Sequence, residues 1–157
     1  MFKKTATGDL VGYHIEGGET LDLSGYLPLS INNLIDHKPL FLGYEPISWY
    51  PFHLESSDYK ILEITFSEPK AKEFLNLDDY FDLLISTEIY SVEHMKNIHV
   101  NKLSPLGERL VNEGYNLFCL TQNITALGED DLLEAFLINS SKYVKQIREV
   151  DIIDITN

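Results

Sequence analysis

Tyr59-Lys60-Ile61-Leu62-Glu63-Ile64-Thr65-Phe66 is the segment on which the fold class turns. Its β-branched and aromatic residues make it the strongest strand signal in the chain. Upstream, Leu10-Val11-Gly12-Tyr13-His14-Ile15 reads as a strand ended by Glu16-Gly17-Gly18, and Thr20-Leu21-Asp22-Leu23 alternates apolar with polar. That alternation is the period of a half-buried strand, so the two segments predict a hairpin about Gly17-Gly18. Ser30 offers an N-cap to a short helix from Ile31 to His37, which Pro39 stops.

Downstream, Pro69 to Leu77 offers a helix start with Pro69 in its first turn. Tyr80 to Val92 fits a strand or a buried helix segment about equally, and a strand from Phe81 to Ser86 or beyond is the reading carried forward. Ser104-Pro105 is an N-cap followed by proline at the first helical position, and Gly114 is placed to terminate that helix. Pro105 to Glu113 is therefore a short helix that runs into a buried strand around Phe118. A second helix is predicted after Gly128, because Leu133, Phe136, Leu137, Val144 and Ile147 recur at helical spacing. Its start carries Glu129-Asp130-Asp131, and its end carries Lys142, Lys145 and Arg148, as the helix dipole favours. Val150 to Ile155 reads as a last strand. Together these segments predict an α+β fold, a mixed or antiparallel sheet with a few short helices. Neither a linker nor a composition shift divides residues 1–157, so one globular domain is expected.

Acidic residues outnumber basic ones by 25 to 12, a formal charge of -13. Such a surface repels phosphate backbones and anionic lipid heads, which argues against direct nucleic-acid or membrane binding. It attracts a basic partner. The lone cysteine, Cys119, lies in an apolar run and reads as a small core hydrophobe. The N-terminus has Lys3 and Lys4 but no long apolar stretch behind them, so a cytoplasmic address without a signal peptide is expected.

Chemical motifs are scarce. Of the five histidines only His94 and His99 are close, and their spacing puts them on different helical faces. GxSxG elbows, HExxH pairs and phosphate-binding loops are missing, and Gly17-Gly18 is flanked by Glu16 and Glu19. No metal or other cofactor is expected. Two features stand out instead. Asp78, Asp79 and Asp82 cluster without a helix start to account for them, and form the preferred partner-binding patch. Residues 44 to 53 are dense in aromatics and prolines, and Tyr44, Trp49 and Tyr50 are candidate interface anchors.

In size, acidity and lack of an active-site motif the chain resembles the immunity proteins of bacterial toxin–immunity systems. The resemblance is one of class and covers the whole chain, with no motif carrying it. It implies a cytoplasmic inhibitor, a monomer or weak dimer, that occludes a basic, nuclease-type toxin domain. Two other readings stay open. One is a small enzyme that joins a carboxylate to His14, His53 or His94 as base. The other is a regulatory protein-interaction module.

Overall fold

Strand Tyr59–Phe66, here β5, forms as its sequence dictates, and a five-stranded sheet assembles around it. The computed structural model describes residues 2–17, 21–22, 30–34, 39–46, 59–84, 103–120 and 135–150. In the first sheet β5 pairs antiparallel with β2 (Leu10–Gly17) along its full length, from Leu10 opposite Phe66 to Gly17 opposite Tyr59. On its other side it pairs antiparallel with β9 (Val144–Glu149), with an irregularity at Thr65/Phe66. Two short strands, β1 (Lys3–Lys4) and β3 (Leu21–Asp22), pair with opposite ends of β2. The β2–β3 pairing is the expected hairpin.

The second sheet has the order β4-β8-β7-β6, from β4 (Leu40–Leu42), β8 (Ala135–Leu137), β7 (Leu117–Leu120) and β6 (Ala71–Phe74). Its pairings are antiparallel except β6 with β7, which is parallel. A bridge between Tyr13 and Gly43 joins the two sheets, with backbone hydrogen bonds of 2.9 and 2.8 Å.

Because strand side chains alternate between faces, the apolar runs of the second sheet feed two cores. Phe41, Phe118 and Phe136 enter one cluster, with Tyr80 and Phe81 packed on it. Leu40, Leu42, Leu117, Cys119, Ala135 and Leu137 enter the other, against Leu10, Leu62, Ile64 and Phe66 of the first sheet. Strands buried on both faces have no polar alternation, which is why β4, β7 and β8 are continuous apolar runs.

The chain is α+β, and two helices are described: α1 (Leu77–Phe81) and α2 (Pro105–Asn112). Helix α2 is as read from the sequence. Ser104 Oγ accepts from the Gly107 amide, Pro105 opens the helix, and Gly114 follows at φ 101°.

Four readings are corrected. Pro69 to Leu77 is not a helix start, since Ala71–Phe74 is strand β6 and the Lys70 carbonyl accepts from the Asn116 amide at 3.0 Å. Ala-Lys-Glu prefers a helix, but pairing with the buried β7 outweighs a preference worth only tenths of a kcal/mol per residue. The strand placed at Phe81 to Ser86 gives way to α1, which ends at Phe81. Beyond it Leu84 makes a single bridge to Leu103, and residues 85–86 lie outside the described part. The helix placed after Gly128 is instead β8, a 3-10 turn at Ser140–Lys142 and β9. Asn139 adopts the left-handed conformation, φ 56°, and reverses the chain between them. Residues 129–131 lie outside the described part. Finally, the helix begun at Ile31 is a 3-10 turn, Ile31–Asn33. Ser30 makes no side-chain cap and Leu34 is already extended. The strand placed at Val150 to Ile155 falls on residues 151–155, outside the described part.

Candidate interaction surface

Helix α1 carries the acidic cluster, and local chemistry accounts for its start. Asn76 is extended, and its Oδ1 accepts from the Asp79 amide at 2.9 Å. Its Nδ2 donates to Asp79 Oδ2 at 2.9 Å, so residue and cap hold each other. Asp78 and Asp79 sit in the first turn, where the helix dipole favours negative charge. Tyr80 and Phe81 turn into the core, while Asp78, Asp79 and Asp82 remain exposed. Asp78 and Asp82 are one turn apart on the same side, a like-charge spacing that costs a few tenths of a kcal/mol. Leu75, just before the helix, is 70% exposed.

The far end of α1 is held by α2. Ser104 Oγ donates to the Asp82 carbonyl at 2.5 Å, and the Ser104 amide donates to the Leu83 carbonyl at 2.8 Å. A Cβ at Gly107 would stand 2.6 Å from the Leu83 carbonyl oxygen, so only glycine permits this approach. The three carboxylates are thus displayed from a fixed mount. Among the described residues no lysine or arginine pairs with any of them.

Three acids around the first sheet are placed differently, while Glu149 of β9 is exposed with no described cation. Lys3 meets Glu45 at 3.0 Å, Lys145 meets Asp9 at 2.9 Å, and Arg148 meets Glu63 at 2.9 Å. The bond from Lys145 holds the Asp9 carboxyl below its ordinary pKa, and the bond to Glu45 raises that of Lys3. Tyr13 is buried nearby, and burial, with the charge of Glu63, pushes its hydroxyl up.

Tyr44, expected as an exposed anchor, is half-buried. Its hydroxyl donates to the Leu120 carbonyl at 2.6 Å, and its ring meets Phe2 edge-on with centroids 4.7 Å apart. It lines a cavity of about 150 Å³ between the two sheets, with Phe2, Leu10, Leu117 and Cys119 among the other walls and Lys4, Glu68 and Glu73 among the polar ones. Burial pushes the Cys119 thiol up to about 12, so it is no nucleophile at neutral pH. Tyr44 packs on one of the two core clusters and α1 on the other, which separates Tyr44 from the aspartates. Trp49 and Tyr50 lie outside the described residues.

Sequence reading missed this cavity, whose walls come from five stretches of chain. The legible signal was the alternation of Ala71 and Glu73, which means something only once β6 is known to be a strand. Of the proposed catalytic histidines, His14 is buried with Nδ1 2.7 Å from the Phe41 carbonyl, while His53 and His94 lie outside the described residues. Among the described residues no three His, Cys, Asp or Glu side chains group as a metal site, and no helix is long and apolar enough to cross a membrane. Comparison with known proteins finds no matching family model, no similar curated protein and no similar solved structure.

Proposed function

We propose that this chain is an acidic binding protein that neutralises a cognate basic toxin of the nuclease type by direct occlusion, in the cytoplasm, as immunity proteins do. The observation that supports the reading is the trio Asp78, Asp79 and Asp82, exposed on a mount fixed at both ends and paired with no described cation. Carboxylates without a paired cation attract lysine and arginine, the side chains with which a nuclease holds phosphate, most fully at Asp78 and Asp82, since Asp79 Oδ2 already accepts from Asn76 Nδ2. They steer the encounter, and the exposed Leu75 beside them offers apolar contact. Trp49 and Tyr50 are the proposed anchors that slow dissociation.

The test is co-purification of the tagged chain with the product of the adjacent upstream gene, followed by charge reversal. The reading expects one-to-one recovery of a neighbour that is toxic when expressed alone. Asp78→Lys with Asp82→Lys should slow association by more than about tenfold at low salt. Asp79 is left intact because it closes the helix cap. Glu113→Lys with Glu149→Lys, an equal charge change at exposed sites on other elements, should slow it far less. Equal losses from both pairs would remove the assignment to α1. A harmless neighbour that does not co-purify would sink the toxin reading.

A further inference from the structure

The cavity between the sheets arises where small residues stand among large ones. Strands β6 and β7 are in register there, with Ala71 opposite Leu117 and Glu73 opposite Cys119. These four side chains share one face, because alternate residues of a strand point the same way. All four line the cavity. Ala71 and Cys119 are the smallest of them, so a gap stays open towards Phe2 and towards Leu10 of β2. Its volume is about 150 Å³, the size of an apolar cavity that admits a benzene ring.

We propose that this cavity is a binding site for a small uncharged molecule built on one aromatic ring. The site is independent of the toxin reading, because it lies against the core cluster of Leu10, Leu117 and Cys119, whereas α1 packs on the other cluster.

The walls favour a ring. Phe2, Leu10, Leu117 and the ring of Tyr44 present carbon to the cavity. The Phe2 ring already stands edge-on to Tyr44, with centroids 4.7 Å apart, and edge-on to Phe66 at 5.4 Å. A guest ring beside Phe2 extends that edge-to-face packing, which the charge distribution of aromatic rings favours.

The polar groups on the walls favour a guest without charge. The Tyr44 hydroxyl has committed its proton to the Leu120 carbonyl at 2.6 Å. Burial keeps the Cys119 thiol neutral. Lys4 and Glu68 neutralise each other at 3.4 Å, and Glu73 is exposed and keeps its water. An ammonium drawn to Glu73 is opposed by Lys4, and a carboxylate drawn to Lys4 is opposed by both glutamates, since all three line the same cavity. A charged guest therefore loses hydration without a clear counter-charge, a cost that an uncharged ring does not meet.

Titration of the whole chain with toluene, followed by NMR, tests the site, with benzylamine and benzoate as charged controls. Toluene should saturate with a Kd below about 1 mM, an affinity within reach of so small a ligand. It should bind at least about tenfold tighter than either control. Nuclear Overhauser contacts from its protons should reach the methyl groups of Leu10 and Leu117. Ala71→Phe fills the cavity from an exposed position, and should abolish toluene binding without altering the circular dichroism. Benzylamine or benzoate binding as tightly as toluene would overturn the uncharged guest. No saturation up to the solubility of toluene, contacts confined to other residues, or binding that survives Ala71→Phe would each overturn the site. Should that variant fail to fold, the contacts measured on the parent chain decide the matter alone.

Discussion

Three acids around the first sheet and the three acids of helix α1 are used in opposite ways. Around the first sheet, Asp9, Glu45 and Glu63 each have a cation within 3.0 Å, supplied by Lys145, Lys3 and Arg148. On α1, Asp78, Asp79 and Asp82 are displayed without a described one. The excess of acid looks even along the sequence, but among the described residues folding gives these three a cation and leaves the three of α1, with Glu149 of β9, without one. Matched surface pairs are each worth little.

This contrast can be broken most severely from below. Tyr80→Ala removes a fully buried ring that supports α1, and should cost about 3–5 kcal/mol in denaturant unfolding. Because the acids ride on that helix, partner binding should fall with stability. If binding survived unchanged, the acids would not need their mount. Asn76→Ala is gentler. It deletes the reciprocal cap to Asp79 and should cost about 1 kcal/mol, with faster amide exchange confined to α1. Loss spread over both sheets would show that α1 is not a separately held element.

The smallest effect lies on the matched side and depends on pH. Asp9 has a folded pKa below the ordinary 3.8, chiefly through its bond from Lys145. A lowered carboxylate pKa stabilises the fold above the unfolded value, and that stability is lost as pH falls through the folded value. Asp9→Asn should therefore be slightly less stable than the parent at pH 7, and the two melting curves should merge once the pH drops below the folded pKa. A gap that persisted in acid would assign the effect to packing or to the bond from Thr7 rather than to the ion pair.

The elements readable from sequence are those whose signals are local. Tyr59–Phe66 is long and β-branched, and Pro105–Asn112 is bracketed by Ser104 and Gly114, so neither needs a distant residue to declare itself. The short elements are different. Ala71–Phe74 has the composition of a helix and becomes a strand only because β7 lies beside it. Residues 135–149 carry apolar side chains at spacings that suit a helix, but the left-handed Asn139 divides them into two strands that belong to different sheets. Its side chain is committed there too, with Nδ2 donating to Asn116 Oδ1 at 2.7 Å. For α1 the signal was present: Asn76 ahead of Asp78-Asp79 is a helix start, and the acids first read as unexplained are part of it. The exposure of Asp78, Asp79 and Asp82 followed from their chemistry. The burial of Tyr44 did not, since nothing in its neighbours announces the Leu120 carbonyl it binds.

The strand order of the second sheet also governs how the molecule is made. Leu40 is seated against Leu137, and Ala71 against Leu117. Pairings between such distant residues require large loops to close before any contact stabilises them, and topologies of this kind fold in milliseconds to seconds rather than microseconds. On the ribosome, β4 and β6 emerge long before β8 and β7 exist to receive them. For that interval the early strands wait with their edges open, and the acidic charge already synthesised favours mutual repulsion between nascent chains at the stage when they are most prone to stick.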